Sequence, residues 1–353
     1  MRLSQPISRR RVLGLLGAPV ALGAAGVLGL KSSRAAEPGS HGMQGMAGMR
    51  AGSGGHEAAG HAGFAGSAVV DPHVNGFDPS VIVRDFDGGK TTRLASGRVL
   101  REWDLVAEDK EFQVAPGVTF AGWVYNGRVP GPTLRAREGE KLRVRFFNSS
   151  AHPHTIHFHG IHPSFMDGIP GVGAGLIPTG GSTVYEFDAE PFGLHLYHCH
   201  AGPLATHIAK GLYGAFIIDP KQGRPDADEL VMVMNGFDTN FDEANEIYAV
   251  NTVGFHYLYR PVVVKQGEPV RIYLVNLLEF DPINSLHIHA NFFHYYPTGT
   301  SLTPAEYTDT IAQMQGQRGI LELAFPYEGK YMFHAHKSEF AELGWMGFFE
   351  VKA

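Results

Sequence analysis

Leu194-His195-Leu196-Tyr197-His198-Cys199-His200-Ala201 contains the single cysteine of a 353-residue chain, set between two histidines at the end of an alternating apolar run. Such a run reads as a β-strand. Successive side chains of a strand point to opposite faces, so His198 and His200 look one way and Cys199 the other. One strand can therefore touch two sites. His207 follows eight residues after the cysteine, and Leu212 five residues after that.

A cysteine thiolate with two imidazoles and a weak axial group is the ligand set of a blue electron-transfer copper, while paired histidines suit a second centre of imidazole-bound copper, zinc or iron. A second stretch supplies the missing partners: His152-Pro153-His154-Thr155-Ile156-His157-Phe158-His159-Gly160. If it is extended, His157 and His159 share a face and His154 lies on the other. Two strands then give an inner site with His154 and Cys199, completed by His207 from a loop, and an outer face with four histidines.

The pattern repeats after Asp219-Pro220 and a polar linker. Asn284-Ser285-Leu286-His287-Ile288-His289 corresponds to residues 154–159, and Gly329-Lys330-Tyr331-Met332-Phe333-His334-Ala335-His336 corresponds to residues 193–200. This is an internal duplication. Where the first copy has His154 and Cys199, the second has Asn284 and Ala335, yet all four paired histidines persist. The second copy has lost the inner site and kept the outer one. His152, His162, His195, His256 and His294 stand outside these patterns and read as surface or packing residues; His294 is near enough to the second cluster to be a candidate for supporting it from behind.

Composition agrees with a strand-rich chain. Charged residues are 18%, and Gly (45) with Pro (22) approaches a fifth of the sequence, as many short strands joined by turns require. Turn signals such as Asn126-Gly127 and Pro130-Gly131-Pro132 separate alternating stretches, and no long amphipathic helix is evident, so the expectation is an antiparallel sandwich or barrel in two units, about 71–220 and 221–353. The formal net charge of -6 gives no reason to expect a nucleic-acid partner.

Residues 1–36 read as an export signal: Arg9-Arg10-Arg11 precedes an apolar run from Val12 to Leu30, and Ser33-Arg34-Ala35-Ala36 resembles a cleavage site. The twin arginine is similar to signals that export folded proteins, which implies a periplasmic or extracellular location. The run is also long enough for a membrane anchor. Residues 37–70, rich in Gly, Ala, Met and His, cannot bury a core and read as disordered, either a linker or a metal-capturing tail. One cysteine in an exported chain leaves no disulfide framework, so the thiol needs another explanation.

These motifs resemble the multicopper oxidases, specifically the two-domain laccase-like group whose blue copper sits in the first domain. The resemblance covers nearly all of residues 80–353. It implies an all-β fold of two cupredoxin-like Greek-key β-sandwich domains in tandem. By similarity His154, Cys199 and His207 bind the type 1 copper, with non-coordinating Leu212 at the axial position; a missing axial bond raises the reduction potential. His157 and His287 resemble the type 2 copper pair, and His159, His198, His200, His289, His334 and His336 the ligands of two type 3 coppers. That makes four coppers per functional unit. Electrons entering at Cys199 pass through the backbone to His198 and His200, and four of them reduce O2 to water. Asp167 resembles the family's acidic residue beside the cluster, a proton relay, although an Asp-Gly turn accounts for it equally. The resemblance also implies a ring of three subunits, with each cluster shared between the first domain of one chain and the second of the next.

Copper nitrite reductases share the two-domain layout, but that family has aspartate where this chain has His157, a small residue where it has His200, and usually methionine where it has Leu212. The electron donor is left open between phenols and metal ions such as Mn(II), Fe(II) or Cu(I). A non-enzymatic copper store or carrier is the remaining class.

Overall fold

The computed structural model describes residues 69–353; the predicted signal and all but the last two residues of the Met/His tail lie outside them. The described residues belong to one compact unit. Ten strands build the first half: β1 (Phe86–Asp87), β2 (Lys90–Arg93), β3 (Val99–Ala115), β4 (Val118–Tyr125), β5 (Thr133–Arg137), β6 (Lys141–Asn148), β7 (His157–Phe158), β8 (Ser182–Asp188), β9 (Gly193–His198) and β10 (Tyr213–Asp219). Eleven build the second: β11 (Asp228–Phe237), β12 (Ile247–Val250), β13 (Val262–Lys265), β14 (Pro269–Asn276), β15 (Ile283–Ile288), β16 (Phe293–Pro297), β17 (Glu306–Thr308), β18 (Thr310–Met314), β19 (Arg318–Ala324), β20 (Gly329–His334) and β21 (Met346–Lys352). Helices are short, and none of the described ones is long and apolar enough to cross a membrane.

Each half is a pair of sheets: β1-β5-β10-β9-β7 with β2-β3-β6-β8, and β12-β11-β14-β19-β16-β17 with β13-β21-β20-β15-β18. These are the two cupredoxin-like β-sandwiches, and the regular structure of the described residues is mainly strand. The expectation of antiparallel sheets needs correction. β1 and β10 pair with β5 in parallel, as do β3 with β6, β11 with β14 and β13 with β21. A Greek-key chain steps from sheet to sheet, so sequence neighbours are often not hydrogen-bonded neighbours. The two-residue alternation shows which face is buried and carries no signal about the direction of the strand alongside.

On β6, Leu142, Val144, Phe146 and Asn148 point inward while Arg143 and Arg145 pair across the outer face with Glu102, Asp104 and Glu186. The first core gathers Trp103, Phe146, Phe158, Tyr185, Tyr197 and Phe216 around Cys199. A separate cluster, including Phe112, Phe120, Leu194, Leu196, Val231, Tyr273 and Val275, joins the two sandwiches through a shared apolar interior. A leading arm clasps both: Asn75 exchanges two hydrogen bonds with the Gln113 backbone of the first, while Tyr257 Oη donates to Pro79 O and Arg84 pairs with Asp228 at 2.7 Å in the second.

β9 lies between β10 and β7, every residue of it buried. Its register is pinned by Tyr197, whose hydroxyl donates to Pro132 O at 2.7 Å. The ring fits only because Gly131 and Gly214 lack side chains; a Cβ at Gly131 would stand 2.8 Å from the tyrosine hydroxyl, and one at Gly214 would collide with the ring.

Candidate metal centres

Beyond the end of β9, alternation sends Cys199 into the first sandwich, where its Sγ stands 3.3 Å from His207 Nδ1 and 3.8 Å from His154 Nδ1. The two Nδ1 atoms are 3.1 Å apart, and the three residues are 0–4% exposed. One transition-metal ion about 2.0–2.3 Å from each nitrogen and sulfur donor suits these separations. His154 faces the thiol through Nδ1 because its Nε2 is bonded to Ser150 Oγ at 2.9 Å. His207 comes from the helix Leu204–Ala209, and Leu212, fully buried, accepts the Cys199 N–H on its carbonyl at 2.9 Å. Trp123 covers the site, its ring 4.7 Å from His207 and 5.1 Å from His154.

Burial drives the electrostatics. It pushes the His154 and His207 imidazoles down to about 4, with His207 adding to the effect at His154 and His152 at His207, so both stay neutral near pH 7. It pushes the Cys199 thiol up, against the N–H groups of Ala201 and Thr155 that face the sulfur. A metal ion would have to displace that proton, and neutral imidazoles stand ready to ligate it.

On the opposite face of β9, His198 meets β7. Ring centroids lie 5.0 Å apart for His157 and His159, 5.4 Å for His157 with either His198 or His200, and 5.7 Å for His198 and His200. His159 Nε2 and His198 Nε2 approach to 2.9 Å. The second sandwich reproduces this: 5.0 Å for His287 and His289, 5.4 Å and 5.5 Å for His287 with His334 and His336, 5.8 Å for His334 and His336, and 3.0 Å between the Nε2 atoms of His289 and His334.

Backbone carbonyls set the tautomers. His198 Nδ1 donates to Cys199 O and His334 Nδ1 to Ala335 O, both at 2.7 Å. His157 Nδ1 faces Asp167 O at 2.9 Å and its carboxylate at 2.8 Å, and His287 Nδ1 faces Asp309 O at 3.0 Å and Thr310 Oγ1 at 2.9 Å. Each of these rings therefore turns an Nε2 lone pair toward its neighbours, the arrangement imidazole ligands need. Burial pushes His198 down to about 4 and His159 to about 3, His198 contributing at the latter, so the lone pairs are free.

Several residues lay beyond the sequence reading. His162, expected at the surface or in packing, has a side chain only 8% exposed, 3.4 Å from the Asp167 carboxylate, with its ring 5.4 Å from His157. Asp309 and Thr310 stand behind His287 because β15 pairs with β18, a long-range contact without a local signature. His294 stacks on Tyr307 at 4.7 Å. His195 and His256 are buried and bonded to Pro191 O and Ser80 Oγ, and His152 lies against Trp123 at 4.8 Å. Among the described residues, the ring and hydrogen-bond contacts of the eight paired histidines run within each sandwich and do not join the two groups.

Comparison with known proteins agrees with this geometry. Residues 107–223 and 224–353 each match a family model described as Multicopper oxidase. A solved structure described as a multicopper oxidase is 68% identical, covers 80% of this chain and 100% of its own, and superposes with a TM-score of 0.79. Blue copper oxidase from Nitrosomonas europaea is 26% identical, covering 71% of this chain and 86% of its own, with a TM-score of 0.66. A copper-containing nitrite reductase of Neisseria meningitidis is 29% identical over 65% of this chain and 63% of its own length, so the chain spans less than two thirds of that curated relative. With both sandwiches matched over most of their length, the chain belongs to the multicopper oxidase family.

Proposed function

We propose that this protein is a laccase-like oxidase that takes single electrons from a phenolic or metal-ion donor and delivers them to O2, reducing it to water. The observation that carries the reading is the doubled quartet of imidazoles with converging Nε2 atoms, one quartet flanking Cys199. His154, Cys199 and His207 would hold a type 1 copper, with Leu212 axial. His157 and His287 would hold the type 2 copper, and His159, His198, His200, His289, His334 and His336 the type 3 pair. Copper would supply one-electron storage at the inner site and O2 reduction at the outer one. The chain supplies the route between them: Cys199 is bonded through its own backbone to both His198 and His200. Asp167 holds His157 by carbonyl and carboxylate together, a contact that supports a proton-relay role for it.

Each chain would give its two half-clusters to different neighbours in a trimer. Four strand steps lead from Thr310, beside His287, to Met314, and the following turn reaches His159. Extended strand of that length spans on the order of 13 Å, which supports a cluster shared between chains. His289 and His336 are exposed. Export by the twin-arginine route suits a protein that takes up its metal before or after crossing a membrane in folded form.

Nitrite reduction is the second reading, favoured by the names of several relatives. Copper content together with oxygen uptake separates the two. Four coppers per chain, a blue band and uptake of O2 with a phenol are expected, and the band should vanish in Cys199→Ser. Two coppers per chain with nitrite turnover would overturn the oxidase reading.

A further inference from the structure

The turn between β18 and β19 belongs to the second sandwich, yet it closes over a histidine of the first. Gly316 there has φ +77°, and a Cβ built on it would stand 3.7 Å from His159 Cε1. Arg318, two residues on, is held in place by a closed ring of bonds. Its Nε donates to Leu194 O at 3.0 Å, Leu194 N donates to Thr298 O at 2.8 Å, and Thr298 N donates back to Arg318 O at 3.0 Å. Leu194 lies on β9, four residues before His198.

The guanidinium is half-buried, and among the described residues no carboxylate lies within ion-pair distance of it. Arg271, on the neighbouring strand, is by contrast neutralised by Glu229 and Glu322. Burial lowers the Arg318 pKa without an opposing acid. Its Nη1 donates to Gly316 O at 3.5 Å, so the guanidinium is held against the same turn that stands over His159. A partly desolvated cation without a counter-ion is costly, and an anion brought near it would offset that cost.

We propose that Arg318 is a fixed cation, supplied by the second sandwich of the same chain, that favours anionic ligands at the metal centre built on His159 and His198. It is a positioning residue acting through the electric field and touches no reacting atom. Each cluster would thus draw on three pieces: imidazoles of one first sandwich, imidazoles of a neighbour's second sandwich, and a charge from the first chain's own second sandwich. The inference rests on the paired imidazoles being a copper cluster.

Azide binding to the copper-loaded protein, followed by its charge-transfer absorption, tests this. Arg318→Gln keeps a donor for Leu194 O and removes the charge; Arg318→Lys keeps the charge. A unit charge within ~10 Å at an effective dielectric near 20 shifts an equilibrium by roughly tenfold. Azide affinity should therefore fall about that much in the Gln variant and stay near wild type in the Lys variant, with the blue band unchanged in both. Wild-type affinity in the Gln variant, or equal weakening in both variants, would overturn the inference, the latter by making Arg318 a clamp whose charge is irrelevant. Copper content of the wild-type protein is read first. Fewer than four per chain overturns the oxidase reading and the inference with it, while four per chain with unmoved azide affinity overturns the inference alone.

Discussion

At the scale of single residues, the alternation around Cys199 decides the chemistry. A one-residue offset separates a thiol facing two buried Nδ1 atoms from two imidazoles facing the other way. Leu212 illustrates how a side chain without donor atoms can still matter. With Leu212 at the axial position, as proposed, Leu212→Met should lower the reduction potential of the blue centre, measurable by redox titration of its visible band. An unchanged potential would mean that another residue stands at the axial position. Parity, the duplication and the identities of the paired histidines were legible because they are local. His162 was not, since an isolated histidine in a loop carries no period, and only the fold sets it beside His157 and Asp167.

At the scale of elements, the two sandwiches show what became of the inner site in the second copy. Ala335 N donates to Trp345 O at 3.1 Å as Cys199 N does to Leu212 O, and Trp345 N donates to Phe340 O as Leu212 N does to His207 O. Phe340 therefore stands at the His207 position and Trp345 at that of Leu212, with Asn284 and Ala335 completing the set. Tyr248 stacks on Phe340 at 3.9 Å, as Trp123 covers His207 in the first copy. Aromatic bulk stands where the first copy has its thiol and imidazole donors, and the fully buried Trp345 is its largest piece. Trp345→Ala should cost about 3–5 kcal/mol by leaving a cavity, read from the denaturant midpoint, while the blue band of the other sandwich survives. Loss of that band in the folded variant would show the two interiors to be coupled. The sequence displayed Asn284 and Ala335 inside aligned motifs, and Gly344-Trp345-Met346-Gly347 echoes Gly211-Leu212-Tyr213-Gly214, but Phe340 emerges only from the matched backbone bonds. Parallel pairing was equally hidden, because inward-facing positions read the same whichever way the adjacent strand runs.

For the whole molecule, the separation of the half-clusters makes a strong claim about assembly. His159→Ala spoils one half and His334→Ala the other, so each homogeneous protein should be blue and fail to consume O2. Dissociated, mixed in equal amounts and reassembled, a head-to-tail ring would regain roughly a quarter of its intact junctions. Oxygen uptake that stays at zero in the mixture would mean that each chain builds its cluster alone. Acid provides another check. Buried His195 and His256 are pushed down to about 4 from 6.5, as are His154, His198 and His207, chiefly by burial. An unfolded chain binds protons at pH 5 that the folded one refuses, so metal-free protein should lose stability as pH drops from 6.5 toward 4 and keep it above that range. Equal urea midpoints at pH 7 and pH 5 would contradict this. The locked register of β9 has a practical corollary. Because Tyr197 and its two flanking glycines fix a single ribbon that carries Cys199 and the His198–His200 pair alike, a slip that displaced the imidazoles would displace the thiol, and with it the proposed blue colour, in the same event. The hue of a preparation is thus a gauge of whether that ribbon keeps its register, and of nothing beyond it.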